Sequence, residues 1–121
     1  MIMADLKLYD AEFKFMNLVW EHEPVNSTKL ANICTERLGW KKPTTYTVIR
    51  KLAERGIVKN ENATVTALVK RERVQKYEAE MLLDKAFDGS VPSFIATFLK
   101  GKSLSEEEAD VLLKMIREAK K

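Results

Sequence analysis

The sequence predicts a mainly α-helical fold: three helices, a two-stranded hairpin, and a helical tail. Three observations carry this. Apolar residues recur at helical spacing through three consecutive stretches before residue 55, separated by Pro24 and Gly39. Two short β-prone runs, Ile57-Val58-Lys59 and Thr64-Val65-Thr66-Ala67-Leu68-Val69, then flank the polar turn Asn60-Glu61-Asn62-Ala63. Residues 71–121 carry helical stripes and no strand signal. Helix, helix, helix, hairpin is the order of a winged helix-turn-helix, in which the second and third helices form the motif and the hairpin is the wing. The domain reading is 1–72 for that unit and 73–121 for a helical dimerisation region.

The elements follow in order. Residues 1–9 form a short lead-in, expected to be partly frayed. Asp10 is placed as N-cap of a helix over about 10–22, striped by Phe13, Met16, Val19 and Trp20 and stopped by Pro24. Asn26 and Ser27 offer capping oxygens to a helix over 28–38, with Leu30, Ala31, Cys34 and Leu38 inward and Gly39 at its end. Trp40-Lys41-Lys42 leads into a third helix, opened by Pro43 in its first turn and ending at Gly56. Thr45, Val48, Ile49 and Leu52 share its core side; Pro43, Tyr46, Thr47, Arg50 and Lys51 fall on the other, with Thr44 at the edge. In the tail, Val74, Tyr77 and Met81 stripe one helix. Val91, Phe94, Ile95, Phe98 and Leu99 make the face of a second, over 91–100. Leu112, Met115, Ile116 and Ala119 line a third, over 106–119, opened by the capping box Ser105…Glu108.

Bulk properties narrow the function. The 121 residues are 45% hydrophobic and 32% charged, with a formal net charge of +3, so a polyanion site must come from local clustering. Residues 41–51 carry four cations and no acid, while 105–110 carry four acids and no cation. One Cys excludes an internal disulfide and a multi-cysteine zinc site. No apolar run approaches the roughly 18–20 residues of a membrane span, and no signal-peptide pattern is present, so the expected location is cytoplasmic. His22 and Cys34 lack catalytic companions, and no Gly-rich phosphate loop exists. No enzyme, metal or cofactor is expected.

A helix presenting Thr, Tyr, Arg and Lys while its other side packs suits a DNA major groove. Lys41, Lys42, Thr44, Tyr46, Thr47, Arg50 and Lys51, with Lys59 and Asn62 on the wing, are the expected contacts to double-stranded DNA. Threonine can hydrogen-bond a base edge or set its methyl against that of thymine, while the cations take phosphate. About fifty residues of tail bury too little to stand alone, and left uncovered their stripes would form too large an apolar patch. A homodimer is therefore expected, held by Tyr77, Met81, Phe94, Ile95, Phe98, Leu99, Leu112, Met115 and Ile116; the alternative is a tail folded back on its own chain. A second functional class is a winged-helix protein-interaction module that recruits a partner through those same apolar helices.

The chain also resembles the penicillinase repressors of the BlaI/MecI type. The resemblance rests on Ala11-Glu12-Phe13 with Met16 and Val19-Trp20, on Trp40 through Leu52, on Arg55-Gly56-Ile57-Val58, and on Phe98-Leu99 followed by Leu104-Ser105-Glu106-Glu107-Glu108. It implies a dimeric winged-helix repressor on a palindromic operator, often with TACA/TGTA half-site cores, controlling β-lactamase or other resistance and stress genes. Thr44 and Thr47 match family positions that meet DNA; Lys51 stands where relatives often have Arg, and Pro43 where some have Lys. The resemblance further implies induction by a protease cutting just before a Phe in the tail. Thr97-Phe98 occupies that place, with Thr where Asn is usual. The paired Cys-X-Cys motifs of the related copper-responsive repressors are missing.

Overall fold

The structure is a computed structural model that describes residues 6–121; the start of the expected lead-in lies outside the described residues. Its nearer part is not loose. Leu6 and Leu8 are buried in the core, each removing an apolar side chain from water for about 2 kcal/mol. The chain divides into two compact units between Met81 and Leu82.

The first unit opens with α1 (Asp10–His22). Tyr9, not Asp10, is the N-cap; its N–H donates to Glu12 Oε1 at 2.9 Å, which satisfies one orphan donor of the first turn. The inward stripe is wider than expected. Phe15 and Leu18 are buried beside Met16 and Val19, while Phe13 and Trp20 are only partly buried at its margins. After the cis Glu23–Pro24 peptide comes a strand the sequence reading misses, β1 (Val25–Asn26). Two residues leave no period-two pattern to detect; the strand exists because β3 supplies its partner. Asn26 then caps α2 (Ser27–Leu38), accepting from Thr28 and Lys29 N–H at 2.8 and 3.2 Å. Gly39 closes it at φ +71°, in the left-handed region that a side chain disfavours. α3 spans Lys42–Glu54.

The wing is tighter than its sequence suggests. β2 (Val58–Glu61) and β3 (Thr64–Ala67) are joined by Asn62-Ala63 alone. Asn60 and Glu61 belong to the ladder, not the turn, whereas Leu68 and Val69 lie beyond it. Both turn residues have positive φ, +52° and +59°, as a type I′ hairpin requires to match the strand twist. Strand order is β1-β3-β2, all antiparallel, with Val25 opposite Val65. The Ala63 carbonyl accepts from Ser27 N–H at 2.8 Å, which ties the turn to the start of α2. Ala63 is an L-residue in a conformation that costs roughly 1 kcal/mol. Ala63→Gly is therefore expected to raise the melting temperature by a few degrees, less the extra entropy of the unfolded glycine, as measured by thermal circular dichroism.

α4 (Arg71–Phe87) begins in the first unit, where Val74 is buried and Tyr77 packs partly against the core. Trp20 Nε1–H donates to the Val69 carbonyl at 2.9 Å, and the Arg71 guanidinium lies over its ring, fixing the start of α4 on α1. The second unit adds α5 (Val91–Leu99) and α6 (Glu106–Ala119). Ser90 caps α5 by accepting from Ser93 N–H at 3.1 Å, and the expected capping box of α6 forms, Glu108 N–H to Ser105 Oγ at 3.1 Å and Ser105 N–H to Glu108 Oε1 at 3.4 Å. Phe94 meets Phe87 edge-on at 5.3 Å and stacks on Phe98 at 5.7 Å. No residue in 82–121 is buried.

Candidate nucleic-acid interface

The geometry of α3 follows from how its two sides are used. Thr45, Ile49 and Leu52 are sunk in the core, and the helix packs on α2 across the motif's turn. Trp40 fixes that turn. Its ring stacks on buried Phe15 at 6.0 Å, and its carbonyl accepts from Thr35 Oγ1 at 2.7 Å. Pro43 sits in the first turn, where no N–H is needed. With one side anchored, the other is necessarily presented outward: Lys41, Lys42, Pro43, Thr44, Tyr46, Arg50 and Lys51 are exposed, and Thr47 is half-buried.

These outward side chains are not equivalent. Among the described residues no carboxylate lies within ion-pair distance of Lys41, Lys42 or Lys51. Arg50 instead meets Glu54 one turn on, at 3.7 Å. Thr47 donates its hydroxyl to the Pro43 carbonyl at 3.0 Å, so its methyl and its oxygen's lone pairs remain for a partner. Tyr46 OH reaches Thr28 Oγ1 at 3.4 Å, a long bond that leans the ring toward the start of α2.

The wing residues divide by strand alternation. Asn60 pairs with Val65 and shares the face of buried Val58, which turns it toward α3. It lines an open cleft of about 420 Å³ with Tyr46, Ile49, Arg50, Ala53 and Glu54. Lys59 and Glu61 lie on the opposite face and form an ion pair at 2.6 Å. That hydrogen bond and the Lys59 charge hold the Glu61 carboxyl below its usual range. Asn62 is exposed at the turn. The structure thus brings Asn60 beside Tyr46 and Arg50 and places Lys59 away from them. The readable signal for Asn60 was its period-two spacing from Val58.

Arg55 closes α3. It reaches back to Glu12 at 3.5 Å and to the Lys7 carbonyl, linking the helix end to α1 and to the segment before it. Behind the helix, Cys34 is fully buried, and burial pushes its thiol above the usual range. The Thr45 hydroxyl beside it is also fully buried and makes no hydrogen bond of ordinary geometry. Its nearest partner is the Cys34 thiol, a weak hydrogen-bonding group, and their contact partly offsets the effect of burial on that thiol. Thr45→Val, which keeps the shape, should therefore change stability by less than about 1 kcal/mol in denaturant titration.

Among the described residues no three His, Cys, Asp or Glu side chains are gathered to hold a metal ion. His22 Nδ1 lies 2.8 Å from the Leu18 carbonyl, a helix-end contact. No helix of the described residues is long and apolar enough to cross a membrane.

Comparison with known proteins agrees with this architecture. The family model for penicillinase repressors matches residues 8–118. The penicillinase repressor of Bacillus licheniformis is 21% identical over 118 residues, covering 94% of this chain and 92% of that one. The methicillin resistance regulatory protein MecI of Staphylococcus aureus is 24% identical over 115 residues, covering 89% and 94%. The fold is shared with the solution structure of monomeric Bacillus licheniformis BlaI in complex with the blaP half-operator, at a TM-score of 0.50 and 20% identity, over 60% of this chain and 92% of that one. The two-sided third helix, the tight wing and a family match spanning nearly the whole chain agree: this chain belongs to the penicillinase repressor family.

Proposed function

We propose that this chain is a homodimeric transcriptional repressor that binds double-stranded operator DNA in the cytoplasm, through residues 1–72, and pairs through residues 73–121. The observation that carries the reading is α3 itself: Thr45, Ile49 and Leu52 anchor one side in the core while Thr44, Tyr46, Arg50 and Lys51 stand exposed on the other. Thr44 and Thr47 are assigned to base edges and Lys41, Lys42 and Lys51 to phosphates or guanine, with Asn62 and Lys59 following the backbone from the wing. Two copies on a palindrome give each half-site one α3. Family membership and the relatives' roles at resistance genes support control of β-lactamase or related genes.

Electrophoretic mobility shift on duplexes selected from a random library tests this. Binding should fall steeply with salt, as phosphate neutralisation releases counterions. Thr47→Ala should relax base preference at one position by about 1–3 kcal/mol, whereas Lys42→Ala should weaken all duplexes alike. A wild-type protein that selects no sequence would end the reading.

Induction by proteolysis is the second part of the proposal. Thr97 and Phe98 are exposed near the end of α5, so the bond between them is accessible once that short helix frays. Incubation with the cognate activated sensor protease should yield fragments meeting there; an intact chain would dispose of the idea.

A further inference from the structure

Resting on the DNA-binding reading, we infer that the cleft between α3 and β2 seats one phosphate of the DNA backbone, with Arg50 as its cation and Glu54 as the counter-ion Arg50 must release to bind it. The cleft wall carries two kinds of donor, the Arg50 guanidinium and the Asn60 amide, over a floor of Ile49 and Ala53, with Tyr46 at its side and its hydroxyl turned to Thr28. A phosphate accepts from both, and a guanidinium can grip two oxygens at once. Among the described residues the one acid on the wall is Glu54, which pairs with Arg50. Their contact is long, 3.7 Å, between side chains 64% and 67% exposed, so it is weak and readily exchanged. Arg50 is therefore part-neutralised when DNA is absent. Among the described residues Lys41, Lys42 and Lys51 have no such partner. The cleft becomes a contact made only when α3 and wing are both seated, because only then does a phosphate displace Glu54.

The test uses the full chain and a duplex selected from a random library by the wild-type protein, with a scrambled duplex beside it, read by fluorescence anisotropy over a salt series. Glu54→Gln is expected to raise affinity several-fold for both duplexes and to steepen the slope of log K against log salt by about one. Arg50→Met should lower affinity for both, and in that background Glu54→Gln should give little. Asn60→Ala should weaken both without changing the selected sequence. A single neutral methylphosphonate walked along the duplex should find one position that weakens the wild type and leaves Arg50→Met unaffected. Unchanged or lower affinity for Glu54→Gln would overturn the inference, as would an Arg50→Met protein that selects a different sequence, since Arg50 would then read a base. If the wild type selects no duplex at all, the DNA-binding reading fails first, and the two failures are distinct.

Discussion

Ile116→Asp should convert a dimer into monomers and lower operator affinity by about 100-fold or more, while leaving each chain folded. Ile116 is 62% exposed and Met115 57%, on a helix with no buried residue, so neither supports its own chain's fold. Val111, Leu112 and Leu113 are exposed on the same helix, as are Val91, Ile95 and Phe98 on α5. An uncovered apolar surface of this extent marks an interaction site, and under the proposed pairing a second copy would cover it with the same chemistry by symmetry. A carboxylate placed among these apolar side chains would lose its water on pairing, which is enough to break a small interface. Loss of pairing removes the linkage between half-sites, and linkage is worth about 10²–10⁴ in affinity without any new contact. Sedimentation velocity should show the single-chain mass, circular dichroism an unchanged helix content, and anisotropy an unchanged affinity for an isolated half-site. A variant that stays dimeric, or a wild type that is monomeric at micromolar concentration, would refute the pairing scheme. Phe94 is a poorer place to test it, because its ring contacts Phe87 and Phe98 within its own unit.

α2 and α6 were readable because each has an apolar stripe and chemically marked ends. Asn26, Gly39, Ser105 and Glu108 do in the structure what their residue types suggest. Features made by partners distant in sequence were not readable. β1 is two residues paired to β3, and its sequence carries no sign of that partner. Leu6 and Leu8 precede the first helix without periodicity, yet the core closes over them. The two-residue turn was hidden because Asn60 and Glu61 are turn-prone types that the ladder recruits, and because Ala63 lacks the usual glycine. At the candidate interface, α3 was legible as a face because anchoring three residues of a helix fixes the direction of the rest. What each cation holds was not legible. The Arg50–Glu54 and Lys59–Glu61 pairs distinguish these two cations from Lys41, Lys42 and Lys51, and that distinction arises only from the side-chain conformations of the folded chain.

Phe15→Ala should be the most destabilising single change in the first unit, lowering its stability by about 3–5 kcal/mol. Phe15 is fully buried, and it is the ring on which Trp40 stacks, with planes 5° apart. Truncation leaves a cavity between α1 and the turn that launches α3, and it removes one face of the contact that holds that turn. Two consequences follow at different sites. The denaturant midpoint of the first unit falls, since a fully packed core cannot close such a void without strain. Trp40, freed on one side, should also show red-shifted and weaker fluorescence before global unfolding, and the start of α3 with Lys41, Lys42 and Thr44 should lose hydrogen-exchange protection ahead of the wing. Operator affinity should then fall even at temperatures where the chain remains folded, because the groove would have to order the turn on binding. Phe15→Leu keeps most of the volume but not the stacked ring, and so separates the terms: stability should largely recover while the protection at the start of α3 does not. If Phe15→Leu restores both equally, volume alone fixes the turn and the aromatic stack contributes nothing to positioning α3.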